Sequence, residues 1–181
     1  MEGRYSILPS SWIRSSDDCI ESSVEKYLAV KINLICVGKI KEKYLNDAIN
    51  EYAKRLKPWA NLNIIEVEEG NFNKTNTEIR EIEGDRIRSK IKGYLIVTCI
   101  DGQQKGSEEF SKEISKLQVD GVSEISIVIG GSVGLSEDIL GKADYKLSFS
   151  KMTFPHQLFR VMMLEQLYRA FSIINNSSYH K

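Results

Sequence analysis

Short apolar runs alternate with longer amphipathic segments along most of this chain, and few folds accommodate that pattern. The runs at residues 31–37, 94–100 and 125–129 are almost continuously apolar, which is typical of strands buried on both faces. The segments between them repeat apolar residues at the 3.6-residue period of a helix. Strands that alternate with helices in this way form a mostly parallel sheet flanked by helices. The predicted fold class is therefore α/β.

The predicted elements fill one domain. We predict strands over residues 31–37, 62–67, 94–100, 125–129 and 145–149. We predict helices over residues 43–57, from a Thr77 cap to Lys92, after caps at Ser107 and Ser136, and from Pro155 at the first helical position to about Phe171. The 181 residues contain no repeat and fit one domain with a tail.

Composition and cysteine spacing exclude several classes of protein. Hydrophobic residues make up 41% and charged residues 28% of the chain, so collagen-like, coiled-coil and wholly disordered chains are excluded. No apolar run approaches the ~20 residues that a membrane span needs. The three cysteines are widely spaced and form no CxxC pair, which indicates neither a disulfide framework nor a metal site. We therefore expect a cytoplasmic protein.

The charge of the chain is zero overall but is unevenly distributed. Residues 142–181 hold six basic and two acidic side chains, together with both histidines, His156 and His180. A polyanionic partner is therefore expected to meet the C-terminal quarter of the chain.

Three predicted loops follow strands, at residues 98–102, 130–134 and 149–154. Ligands of parallel sheets bind beyond the carboxyl ends of the strands, and the glycines of the second loop allow a ligand to approach the backbone. Their spacing matches neither GxGxxG nor GxxxxGK[ST], which disfavours a dinucleotide-binding fold and a P-loop. An isolated GGSVG is equally typical of a plain strand-to-helix turn.

Longer sequence motifs indicate which protein family the chain resembles. They run in the order GGSVGL (130–135), LSFSKMTFPHQ (147–157), Arg160-Val161, EQLYRAF (165–171) and a terminal Tyr179-His180-Lys181. In this order they resemble the ribosomal RNA large-subunit methyltransferase H (RlmH, YbeA) family of the SPOUT superfamily, over about residues 30–181. The resemblance implies a SPOUT fold with a C-terminal trefoil knot, an exception to the usual unknotted rule, and a homodimer with its cofactor site near the subunit interface.

The resemblance also implies the reaction. The methyl donor would be S-adenosyl-L-methionine, and the acceptor would be N3 of a pseudouridine in helix 69 of 23S rRNA within the assembled 70S ribosome, with no metal and no membrane involved. The cofactor contacts that it implies are Thr98, Gly130, Phe149, Ser150, Lys151, Met152, Thr153 and Phe154. Thr98 stands where relatives have leucine, which puts a small polar group where adenine is expected to pack.

Catalysis needs a base, because the N3 proton has to leave during methyl transfer. His180 and His156 are the two imidazoles of the chain, and both remain candidates. Basic side chains suit phosphate contacts and an aromatic ring suits stacking on a base. The predicted RNA contacts are Arg160, Tyr179, His180 and Lys181, with Lys151 as a further phosphate contact.

Two alternatives remain open. The first is a knotted RNA-binding protein without catalysis, which the intact Gly130-Gly131 pair and the loop at residues 152–156 disfavour. The second is a related SPOUT enzyme that acts on tRNA, which the terminal Tyr179-His180-Lys181 and the lack of an added RNA-binding domain disfavour.

The first 29 residues differ from the rest of the chain. They are serine-rich, lack periodicity and carry three basic against five acidic side chains, and an acidic arm does not help a protein to approach RNA. Family members start just before their first strand, at the place of Val30, and valine shares the GUG codon with bacterial start sites. We expect residues 1–29 to be a non-family extension, either disordered or an over-extended gene prediction, ahead of a SPOUT domain at 30–181.

Overall fold

A five-stranded sheet with helices on both faces forms the computed structural model, which describes residues 30–71 and 73–177. The strands are β1 (Val30–Val37), β2 (Ala60–Val67), β3 (Tyr94–Gln104), β4 (Glu124–Ile129) and β5 (Tyr145–Ser148). The helices are α1 (Lys43–Leu56), α2 (Asn76–Arg88), α3 (Ser107–Val119), α4 (Glu137–Gly141) and α5 (His156–Ile174). The strands pair in the order β2-β1-β4-β3-β5, and each of these pairings is parallel. The predicted α/β class is confirmed.

Two hydrophobic cores lie on opposite faces of the sheet. Alternate residues of β1 supply both, with Ile32 and Leu34 on one face and Ile35 and Val37 on the other. Helices α1, α3 and α5 cover the first face, and α2 and α4 cover the second. Each buried aliphatic side chain contributes about 1.5–3 kcal/mol, so the central strands form a firm base for the loops at their ends. No helix within the described ranges is long and apolar enough to cross a membrane.

The helix starts differ from the predicted caps at three of four places. Thr75, not Thr77, begins α2, since its hydroxyl accepts from the N–H of Glu78 (3.3 Å) and the Glu78 carboxylate accepts from the N–H of Thr75 (2.9 Å). A Thr three residues before a Glu makes this capping box, and Thr77 has no Glu at that spacing. Gly106 precedes α3 and Pro155 precedes α5, so the predicted Ser107 cap and the predicted first helical position of Pro155 are each displaced by one residue. The predicted Ser136 cap of α4 is confirmed.

β3 is longer than predicted, because residues 101–104 also belong to the strand and the predicted loop at residues 98–102 lies within it. Thr98 and Gln103 both pair with Leu147 of β5, with a shift of register between them. Gly102 allows this, since a Cβ atom there would lie 2.7 Å from the carbonyl carbon of Leu147. The trefoil knot stays a prediction.

Candidate functional site

A cavity of about 540 Å³ opens at the carboxyl ends of β4 and β5, beside the middle of β3. Three segments that are distant in sequence line it: the middle of β3, the glycine turn (residues 130–134) and the C-terminal loop (residues 149–155). Seven of the eight predicted cofactor contacts are among its lining residues, namely Thr98, Gly130, Phe149, Ser150, Met152, Thr153 and Phe154. The eighth, Lys151, is exposed and does not line the cavity.

The glycine turn folds back tightly against the start of α4. The N–H of Gly134 donates to the carbonyl of Gly131 at 3.2 Å, and Gly134 has a φ of +81°, which favours glycine. A Cβ atom on Gly130 would lie 3.1 Å from the side chain of Leu135. The turn therefore brings backbone, and no side-chain bulk, to the cavity at Gly130.

The C-terminal loop also holds its own shape. The Ser150 hydroxyl accepts from the N–H of Met152 at 3.0 Å, and the Ser148 hydroxyl donates to the carbonyl of Ser150 at 3.1 Å. Phe159 of α5 lies 4.7 Å from Phe149 and 6.0 Å from Phe154, measured between ring centroids. Together these three rings give the cavity an aromatic wall suited to a planar apolar group.

Thr98 adds no free polar group to the cavity. Its hydroxyl donates to the carbonyl of Val128 across the sheet at 2.9 Å. Because the polar atom is already paired, threonine at this position remains compatible with an apolar slot.

Several lining residues were absent from the sequence-based prediction, among them Arg80 of α2, Glu137 and Leu140 of α4, and Phe159 of α5. The position of Ser136 as a cap directly after the glycine turn was the one signal for the two α4 residues. Arg80 carried no such signal, because its approach depends on how α2 packs on the sheet.

His156, the first residue of α5, lies at the wall of the cavity. Its Nε2 atom is buried and has no hydrogen-bond partner among the described residues, and the nearest carboxylate oxygen, on Glu69, is 3.7 Å away. Burial lowers the pKa of His156, Glu69 raises it and Arg160 lowers it, with a net decrease. The imidazole is therefore neutral near pH 7, which is the form that accepts a proton.

Arg160 does not fit its predicted contact with an RNA phosphate. Its side chain is 1% exposed, and its guanidinium donates to the carbonyls of Val37 (2.6 Å) and Gly38 (2.8 Å) and to Glu66 (2.9 Å). The face of α5 that carries His156 and Arg160 turns toward the ends of β1 and β2, which sequence spacing alone could not reveal. Arg160 thus fastens α5 to the sheet, and the prediction is corrected.

The remaining predicted site residues, Tyr179, His180 and Lys181, lie outside the described residues. Within residues 30–71 and 73–177, no group of three or more His, Cys, Asp or Glu side chains is arranged to hold a metal ion.

The chain is similar in sequence to proteins that are already known. Residues 30–180 match the family model described as "Predicted SPOUT methyltransferase". The ribosomal RNA large subunit methyltransferase H of Clostridium acetobutylicum is 54% identical over 159 residues, which cover 84% of this chain and all of that protein. The protein of the same name from Lactobacillus acidophilus is 50% identical over the same coverage. Among solved structures, a probable methyltransferase from Bordetella pertussis Tohama I matches with a TM-score of 0.49 and 7% identity, over 82% of this chain and 98% of that one.

Proposed function

This chain belongs to the ribosomal RNA large subunit methyltransferase H family of SPOUT methyltransferases, and on that premise we propose its full reaction. It transfers a methyl group from S-adenosyl-L-methionine to N3 of a pseudouridine in helix 69 of 23S rRNA. The coarser function, rRNA methylation, rests on relatives of 50–54% identity over their whole length. The donor and the target nucleotide are the finer steps that we add.

The cavity carries the proposal. Seven predicted cofactor contacts from three separate segments line one space of about 540 Å³, a size usual for small-molecule sites. The aromatic wall suits the adenine ring, and the bare backbone at Gly130 leaves room for a close approach. S-adenosyl-L-methionine, when bound there, supplies a methyl group activated by its positive sulfur.

The chain itself has to orient the acceptor and remove a proton. Transfer forms the N3–methyl bond as the methyl–sulfur bond breaks, so most of the rate comes from holding N3 about 3 Å from the methyl carbon. We assign the removal of the N3 proton to His156 as the first candidate, because this residue lines the cavity and burial lowers the pKa of its imidazole. His180 of the terminal segment is the second candidate base.

Recognition of the ribosome is assigned to the C-terminal region. Lys151 is exposed on the C-terminal loop beside the cavity, and Tyr179 and Lys181 supply a stacking ring and a second cation. The described domain is one sheet with its helices, so we assign the remaining specificity to a homodimer and to the shape of the 70S ribosome. A cytoplasmic location follows from that substrate.

The proposal is tested with purified protein and methyl-labelled S-adenosyl-L-methionine. The protein is offered 70S ribosomes that lack the modification, deproteinised 23S rRNA and tRNA in parallel. We expect label in 23S rRNA from the ribosomes and little in the other two. Label in tRNA alone would identify the second alternative enzyme, and cofactor binding without label in any RNA would identify a binding protein.

A further inference from the structure

A buried carboxylate lies beneath the glycine turn. Glu83 of α2 is 4% exposed, and its Oε1 atom accepts from the N–H of Gly70 at 2.8 Å. Its Oε2 atom has no hydrogen-bond partner among the described residues. A Cβ atom on Gly131 would lie 3.1 Å from Oε2, so the carboxylate contacts the turn where the turn has no side chain.

The packing of α2 makes this contact close. Gly84 lets the helix approach α4, since a Cβ atom there would lie 2.5 Å from the Ser136 hydroxyl that caps α4. The same Cβ position on Gly131 would lie 2.9 Å from Val37. Val37 at the end of β1 and Glu83 of α2 therefore both pack against the turn at Gly131.

This arrangement works against stability. A buried carboxylate with one unpaired oxygen costs free energy. Burial raises the pKa of Glu83, the Gly70 N–H lowers it, Glu69 raises it and Arg86 lowers it, with a net increase. Because the pKa is higher in the folded than in the unfolded chain, ionisation of Glu83 opposes folding as the pH rises through the folded pKa. An unpaired buried group of this kind needs another reason to be present.

We propose that Glu83 is a positioning residue of the cofactor site, whose carboxylate supports the glycine turn at Gly131 in the conformation that accepts the cofactor. Glu83 does not line the cavity, so it acts through the backbone of Gly131 and of the adjoining Gly130. The inference rests on the proposed function, which makes the turn a cofactor contact.

The test compares Glu83→Gln with Glu81→Gln, the same change at an exposed position of the same helix. Glutamine keeps the size of the side chain but replaces one carboxylate oxygen with an NH2 group, so the charge and the contact of that oxygen with Gly131 are both changed. The affinity for S-adenosyl-L-methionine is measured by calorimetry, and the melting temperature is measured without ligand. We expect Glu83→Gln to weaken binding by ~10-fold or more, on the scale of a small misplacement in a site, and to leave the melting temperature equal or higher. Glu81→Gln should change neither.

The results distinguish failure of the inference about Glu83 from failure of the proposed function. Unchanged affinity in Glu83→Gln would overturn the inference. A lowered melting temperature, or failure of this variant to fold, would also overturn it, since both mean that the carboxylate serves stability alone. If the unmodified protein does not bind S-adenosyl-L-methionine at all, the proposed function fails first, and the assignment of Glu83 fails with it.

Discussion

Gly130 and Leu135 lie so close together that a side chain at residue 130 would have to displace Leu135. Gly130→Val would push against Leu135, which already lies 3.1 Å from a Cβ position, and would carry its methyl groups toward the cavity. We expect loss of S-adenosyl-L-methionine binding with the fold and the proposed dimer retained, measured by calorimetry and by size-exclusion chromatography. Gly141→Val is the control, because nothing lies within 4 Å of a Cβ atom there. Unchanged affinity in Gly130→Val would mean that the cofactor binds elsewhere.

His156 makes a prediction about pH. Its pKa lies below the usual 6.5 in the folded protein, so the unfolded chain binds this proton more readily. The stability that depends on His156 being neutral is fully present above pH 6.5 and decreases as the pH falls toward the pKa of His156 in the folded protein. We expect His156→Gln to reduce the loss of melting temperature between about pH 7.5 and 5.5. Equal pH profiles for the parent and His156→Gln would contradict the burial of His156.

At the level of elements, Arg160 joins α5 to the ends of β1 and β2. Arg160→Met would leave the carbonyls of Val37 and Gly38 without this donor and Glu66 without its cationic partner. We expect a loss of ~2–4 kcal/mol in the free energy of unfolding by urea, without any RNA present. Lys151→Met, at an exposed position, should cost little. Full stability of Arg160→Met combined with lost methylation would restore the phosphate contact predicted from sequence.

The C-terminal segment, residues 179–181, leads to a second prediction at the level of elements. Deletion of residues 179–181 removes Tyr179, His180 and Lys181 and leaves every described lining residue of the cavity in place. We expect cofactor binding to persist while methylation of ribosomes falls by ~10²-fold or more, the scale for losing positioning and acid–base groups. The single variant His180→Gln separates the two effects. Methylation at the parent's rate by the truncated protein would show that this segment has no part in the reaction.

The sequence predicted the helices and strands better than the residues at which they begin and end. The five strands and five helices follow from apolar periodicity, because burial on one or both faces fixes that pattern. Thr77 and Ser107 were misplaced as caps because the decisive contacts come from glutamates three residues after Thr75 and Gly106. The extension of β3 past Ile100 depends on the contact of Gly102 with β5, which is not local in sequence.

In the site, too, the residues that follow from local sequence were predicted and those that depend on tertiary packing were missed. The cavity lining on β3, the glycine turn and the C-terminal loop was predicted, because parallel strands bring their carboxyl ends to one edge. The contributions of Arg80 and Glu83 were missed, since both depend on how α2 packs against the glycine turn. The burial of Arg160 was missed because helical spacing places residues on a shared face without showing what that face meets.

For the whole molecule, the proposed function is that the cavity at the strand ends binds the methyl donor and that one nucleotide of a large RNA receives the methyl group. The most direct test is mass spectrometry of the helix 69 pseudouridine from cells with the gene, cells without it, and cells that carry only Gly130→Val. We predict N3-methylation in the first strain and an unmethylated pseudouridine in the other two. Methylation that persists without the gene, or that is absent while the unmodified protein is present, would contradict the account.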